Sequence, residues 1–204
     1  EVPVGYASGI FLALAATNHL LAATVLWGPV YKPGLHYGNN PIRWFEYSIS
    51  ASVMHVHVAM LSGAFSVHLL FTIFGLTAVT MLCGWLAEPT HDRKKDLRAY
   101  WVGWVPHTFA WLIIFCFFFT AVSRGDPPGF VWAIIIIIFL LDASFAVNMF
   151  LNLYEIGPWK NYVNAEIAYF CLSLFSKQLL AWINYGGTES LNEDEGGTSA
   201  PTMM

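Results

Sequence analysis

The chain has 204 residues, of which 57% are hydrophobic and only 11% are charged, and its formal net charge is -4. Soluble domains contain about 25% charged residues, so this deficit predicts an integral membrane protein. The sequence lacks the basic patch that nucleic acid requires, and we expect no nucleic-acid partner. Cys83, Cys116 and Cys171 stand singly in apolar runs, which predicts packed or lipid-facing side chains and no metal site.

The uncharged runs are long enough for six membrane-spanning helices, since each needs about 20 residues. A break at SGAFS divides one long run into two spans. The β-branched string AIIIIIF lies inside a long apolar run, which favours a helix over a strand. We therefore expect an all-α membrane domain over residues 1–186 and an acidic, disordered tail over 187–204. The predicted spans are 4–27, 42–63, 67–87, 99–123, 129–153 and 164–186.

The lysines and arginines between the predicted spans are divided unequally between the two sides of the membrane. Only Arg124 falls on one side, and that side also carries both chain ends. The basic side should be cytoplasmic, which places the C-terminus outside. Because six spans that begin outside without a signal peptide are unusual, we expect a further helix upstream. The other side carries Lys32, Arg43, Arg93, Lys94, Lys95, Arg98 and Lys160.

Lys177 lies at the middle of the last predicted span, about 15 Å from either end, which is beyond the reach of its side chain to the headgroups. A central ammonium costs about 2.5–3.5 kcal/mol on insertion and must face a partner or a cavity. Two interpretations remain open. The lysine is structural and paired to a carboxylate, or its amine is used covalently, as in an imine with an aldehyde.

Two carboxylates are available inside the spans, Glu46 and Asp142. Glu46 shares a helical face with Ser50, Val53 and His57, a polar stripe on an otherwise apolar helix. Ser173 lies four residues before Lys177, on the same face, and could accept a hydrogen bond from its amine. The same spacing is equally consistent with a serine whose hydroxyl donates a hydrogen bond to a backbone carbonyl of its own helix.

The segments RWFEYSISASVM (43–54) and SLFSKQLLAW (173–182) resemble the heliorhodopsins. Shorter matches support the resemblance and occur in the family's order: EVPVG (1–5), FG and GW at 74–75 and 84–85, PGFV (128–131) and WKNY (159–162). The resemblance implies a seven-helix photoreceptor with all-trans-retinal, an external C-terminus and one more helix before this sequence. It also implies a homodimer in membrane lipid, with an unknown signalling partner.

By position, the resemblance makes Lys177 the retinal-linked lysine and Glu46 the counterion of its protonated Schiff base. Ser173 matches a serine that contacts the Schiff base, and His19 matches a histidine of a polar cavity near the chromophore. Light would convert all-trans-retinal to the 13-cis form, and a slow photocycle would drive signalling. The aromatic pocket is expected to include Trp85, Phe145 and Trp182, although each could equally be a packing residue.

Three titratable residues depart from the family pattern: His55, His57 and Asp142. These residues could be neutral sequence changes at packed positions. Alternatively, they could form a proton relay that supports light-activated transport, which some members of the family are thought to perform. A third possibility is a scaffold or transporter without retinal, in which Lys177 and Glu46 form a simple salt bridge. The sequence shows no catalytic motif such as HExxH or a phosphate loop, so we do not expect an enzyme.

Overall fold

The computed structural model describes residues 4–125 and 127–198 of the chain, and within these ranges every regular element is a helix. A π-helical turn, Trp27–Tyr31, joins the first two helices, and a 3₁₀ turn, Gly157–Lys160, precedes the last. The all-α fold class is thereby confirmed. The helices are α1 (Val4–Ala23), α2 (Lys32–Tyr37), α3 (Pro41–Leu61), α4 (Val67–Ala87), α5 (Leu97–Arg124), α6 (Gly129–Leu153) and α7 (Tyr162–Thr198).

The central helices follow the predicted spans closely. The bounds of α4 and α6 are those predicted, and the apolar string 133–139 is helical within α6. The break after α3 also lies where it was predicted, and Gly63 adopts a positive φ of 90° there, which glycine tolerates at low cost. At the start of α3, the Asn40 side chain caps the helix by accepting a hydrogen bond of 3.1 Å from the Arg43 amide.

The two terminal predictions differ from the structure. The first predicted span bends by 79° between Ser8–Ala23 and Trp27–Tyr37, at a segment that contains Pro29, whose ring removes a backbone donor. The last helix continues through Thr198, so the tail predicted to be disordered is helical over 187–198. Gly187 lies within α7, and a side chain there would collide with the Phe130 ring. Residues 199–204 lie outside the described residues.

Three helices, α4, α5 and α6, are long and apolar enough to span a membrane by composition alone, and the bent α1–α2 segment would be a fourth. α3 and α7 carry charged and polar side chains, among them Arg43, Glu46 and Lys177, and these are buried in the bundle. Large apolar side chains such as Phe71 and Phe119 are exposed on the outside. This distribution is that of a multi-pass membrane protein, in which polar groups face inward.

The bundle has two ends, which we name by one residue each. At the Arg43 end, α3, α5 and α7 begin and α4 and α6 finish; at the Ser62 end, α3 and α5 finish and α4 and α6 begin. α3 packs against α1, α4 and α5, and α7 packs against α1 and α6. A large apolar cluster lies toward the Ser62 end and includes Phe11, Val58, Ile73, Ile114, Ile134 and Leu180.

The Arg43 end is joined by a buried charge cluster. The Arg43 guanidinium donates hydrogen bonds to Glu88, just after α4, and to Glu166 of α7. It also lies over the Tyr169 ring, 3.9 Å from the ring centre. The Asn40 amide donates to the second Glu88 oxygen at 3.1 Å. One arginine therefore connects three helices through two carboxylates that would otherwise be buried without a cation.

Replacement of Arg43 by methionine should destabilise the bundle strongly, because Glu88 and Glu166 would lose their shared cation. Breaking a buried pair from one side costs about 3–5 kcal/mol, so the detergent-solubilised variant should unfold at a much lower temperature. Lys95→Met is the control, since the Lys95–Glu155 pair at this same end is solvent-accessible and exposed pairs contribute little. Equal melting temperatures for Arg43→Met and the unmodified protein would contradict this account.

Candidate functional site

Lys177 lies on the inner face of α7 and its side chain is almost fully buried, with 4% of its surface exposed. The amine donates one hydrogen bond to Glu46 Oε1 and one to Ser173 Oγ, each 2.9 Å long. The Tyr47 ring lies 5.2 Å from the amine, on a third side. The structure thus brings together three residues singled out in the sequence, and the Ser173 hydroxyl faces the lysine.

The amine of Lys177 faces a large cavity between α3, α4, α5, α6 and α7, with an empty volume of about 860 Å³ that is partly open to the surroundings. We call this the aromatic cavity. Rings form much of its wall, together with methionine and small residues. The aromatic side chains of the lining are Trp44, Tyr47, Tyr100, Trp104, Phe145 and Tyr169.

Glycines of α4 and α5 shape the aromatic cavity. A side chain at Gly84 would collide with the Trp44 ring, so only glycine lets that ring lie against α4. Gly103 of α5 faces Cys83 closely enough that a Cβ atom would be 3.0 Å from the cysteine Cβ. These two positions keep α4 close to its neighbours while the rings of other helices line the cavity.

A second cavity lies on the other side of Glu46, between α1, α3 and α7, with an empty volume of about 810 Å³. We call it the polar cavity. His19 of α1 is part of its wall and packs edge-on against Phe170 at 5.0 Å between ring centres. Glu46 and Tyr47 separate the polar cavity from Lys177. The polar and charged side chains in its wall include Asn18, His19, Asn40, Arg43, Glu46 and Glu166.

Two of the three aromatic residues expected in the pocket do not line it. Trp182 is 68% exposed and Trp85 is 39% exposed, and both lie on the outside of the bundle; Phe145 alone lines the aromatic cavity. Trp85 and Trp182, which the resemblance placed in the pocket, instead face outward. Residue 182 is five positions from Lys177, about 140° around the helix, whereas Tyr169 and Ser173 share its face.

The three unusual titratable residues do not form one group. His55 Nε2 lies 2.8 Å from Asp142 Oδ2, and Trp111 donates a hydrogen bond of 3.1 Å to the same oxygen. His57 instead lies beside Asn184 of α7. Phe11, Val58 and Leu180, which are fully buried, belong to one apolar layer toward the Ser62 end from Lys177. Leu180 comes between Lys177 and Asn184 on α7, so along that helix the apolar layer separates the lysine from the neighbouring side chains of His57 and Asn184.

A helical membrane bundle with an internal lysine, one facing carboxylate and an aromatic cavity beside the amine defines the rhodopsin class of architecture. The family model for heliorhodopsin matches residues 1–189, and the chain therefore belongs to the heliorhodopsin family. No curated protein shows significant similarity to the chain. Heliorhodopsins are a family of retinal-binding photoreceptors located in membranes.

The Lys177–Glu46 pair can be tested in the protein without any added ligand. Glu46→Leu should lower the melting temperature markedly, because a buried ammonium left without its carboxylate costs about 3–5 kcal/mol. Glu46→Leu combined with Lys177→Met should recover much of the lost stability, since both charges are then absent. A double variant no more stable than the single one would show that the two side chains are not energetically coupled.

Proposed function

We propose that the chain is a light sensor that holds all-trans-retinal on Lys177, with Glu46 as counterion. The observation that carries the proposal is the amine of Lys177, which is buried, faces the aromatic cavity and has one carboxylate partner. The cavity fits a polyene aldehyde, because its wall is apolar and aromatic and its main reactive group is a primary amine. A structural salt bridge alone would not need a cavity of this size beside it.

When bound through an imine to Lys177, retinal would supply visible absorption and light-driven isomerisation from the all-trans to the 13-cis form. The side chains around the amine have separate tasks. Glu46 balances the positive charge at Nζ, and its acceptor oxygen fixes the direction of the N–H bond. Ser173 offers a second acceptor, and the Tyr47 ring face adds cation–π stabilisation. Apolar and aromatic walls limit access of water to the nitrogen.

Glu46 is the nearest acceptor for a proton released at Lys177 Nζ. Its carboxylate also lines the polar cavity, where His19 and other polar groups could share that proton. On the opposite side, the apolar layer of Phe11, Val58 and Leu180 offers no acceptor. We propose that the proton leaves toward the Arg43 end and returns from the same end. This arrangement favours sensing over transport.

Loss of the Lys177–Glu46 contact would also affect the packing at the Arg43 end of the bundle. The pair joins α3 to α7, and the Arg43–Glu166 pair joins the same two helices about one turn away along α3 and about three turns away along α7. We propose that a shift between α3 and α7 alters the Arg43 cluster and thereby the basic loops at this end. The positive-inside rule places these loops in the cytoplasm, where a signalling partner would meet them.

The direct test is an absorption spectrum of the protein expressed with all-trans-retinal, compared with Lys177→Ala. The unmodified protein should show a visible band that the variant lacks, and borohydride treatment should fix the chromophore to the peptide that contains residue 177. Lys95→Ala is the matched control, because it removes a lysine outside the cavity and should keep the band. Absence of a visible band in the unmodified protein would favour a scaffold held by a simple salt bridge.

Transport can be separated from sensing by electrical recording from cells that express the retinal-loaded protein. We expect no sustained photocurrent, because the apolar layer interrupts the polar groups between Lys177 and His57. A light-dependent current that disappears in His57→Leu would overturn this and support the proton-relay interpretation of His57, His55 and Asp142. His68→Leu, in the first turn of α4, is the control for loss of a histidine elsewhere near the Ser62 end.

A further inference from the structure

Asp142 of α6 lies in the wall of the aromatic cavity. It is not a partner of the Lys177 amine, whose hydrogen bonds go to Glu46 and Ser173. Its own contacts are His55 of α3 and Trp111 of α5. Glu46 lines the polar cavity instead, so the two carboxylates act from different places, Glu46 at the nitrogen and Asp142 in the wall of the aromatic cavity.

The contacts of His55 and Trp111 favour an ionised Asp142. His55 Nδ1 lies 3.0 Å from the Ala51 carbonyl oxygen, which only accepts, so this nitrogen carries a proton. His55 Nε2 lies 2.8 Å from Asp142 Oδ2, and so close an approach between a bare nitrogen lone pair and a carboxylate oxygen would be repulsive, which favours a protonated Nε2. Trp111 Nε1 donates to that same oxygen, which favours a carboxylate beside an imidazolium.

The ion pair presents its negative end to the cavity. Asp142 lines the cavity, whereas His55 does not, so the imidazolium stands behind the carboxylate as viewed from inside. His107 of α5 is the other titratable side chain near Asp142 and also lines the cavity. Across the cavity, α7 contributes Lys177, whose charge is already balanced by Glu46. A carboxylate in this position interacts electrostatically with the charges of any ligand bound in the cavity.

We infer that Asp142 is a colour-determining residue, which shifts the absorption of a retinal bound at Lys177 to longer wavelength. This inference rests on the proposed function. In the ground state, the positive charge of such a conjugated cation is concentrated at its nitrogen, and Glu46 stabilises it there. Excitation moves positive charge along the polyene, away from the nitrogen. A negative group at a different part of the wall then stabilises the excited state more than the ground state, which narrows the energy gap.

The test compares the absorption maximum of the retinal-loaded protein with that of Asp142→Asn, which keeps the size and an acceptor for Trp111. The variant should absorb at shorter wavelength. Ser144→Ala is the matched control, because its hydroxyl bonds to the Leu141 carbonyl in α6 and it does not line the cavity, so its maximum should not move. An unchanged maximum in Asp142→Asn, or a move to longer wavelength, would overturn the inference.

Two further measurements keep the inference testable if Asp142→Asn folds poorly. The band of Asp142→Leu, which also removes the charge, should move to shorter wavelength. In the retinal-free protein near neutral pH, infrared spectra should contain a carboxylate signal of residue 142 that Asp142→Asn lacks. A protonated carboxyl at residue 142 under those conditions would overturn the inference without reference to colour.

The outcome separates this inference from the proposed function. A visible band that depends on Lys177 but does not respond to Asp142 would leave the retinal site intact and remove only the role of Asp142. Absence of any band in the unmodified protein would remove both, since the role of Asp142 requires the chromophore.

Discussion

The contact between Lys177 and Glu46 is the constraint on which the rest of the bundle depends. Neither charge is stable alone in an apolar interior, so α3 and α7 must direct these two side chains toward each other at the same depth. This requirement fixes both the rotation and the register of the two helices. The more apolar helices α4, α5 and α6 then complete a wall around the amine, and small residues such as Gly84 bring that wall close.

The ion pair also lies at a boundary between two kinds of interior. Toward the Arg43 end, buried side chains are polar and connected, and the polar cavity reaches Glu46 itself. Toward the Ser62 end, Phe11, Val58 and Leu180 pack without a cavity that reaches the lysine. The connected polar groups that could take a proton from the amine lie toward the Arg43 end, whereas Asp142 in the aromatic cavity is already paired with His55. This asymmetry follows from side-chain chemistry, and it requires no moving gate to prevent passage across the bundle.

Much of the fold and the centre of the site could be predicted from the sequence, because the relevant signals are strong and local. The uncharged runs predicted α4 and α6 to the residue, and the cost of a central ammonium singled out Lys177. Ser173 followed from helical spacing, whereas Glu46 was one of two carboxylates inside the spans and was assigned as the partner of Lys177 by the resemblance. The walls of the cavity could not be read in the same way. In the sequence, nothing distinguishes Trp44, Trp104 and Tyr169 from other aromatic residues of a membrane protein. Only the packing of five helices shows that these rings line the same cavity.

Glu88 and Glu166 escaped the sequence reading for a related reason. Each lies close to a predicted span boundary, where a carboxylate is ordinarily solvated, and nothing local shows that Arg43 pairs with both. Arg43 was itself counted among the basic loop residues, although it is buried in α3. Its removal from that count leaves six basic residues against one, so the inferred cytoplasmic side is unchanged. A buried arginine carries no information about orientation, because its partners, not the membrane potential or the translocation machinery, determine where it lies.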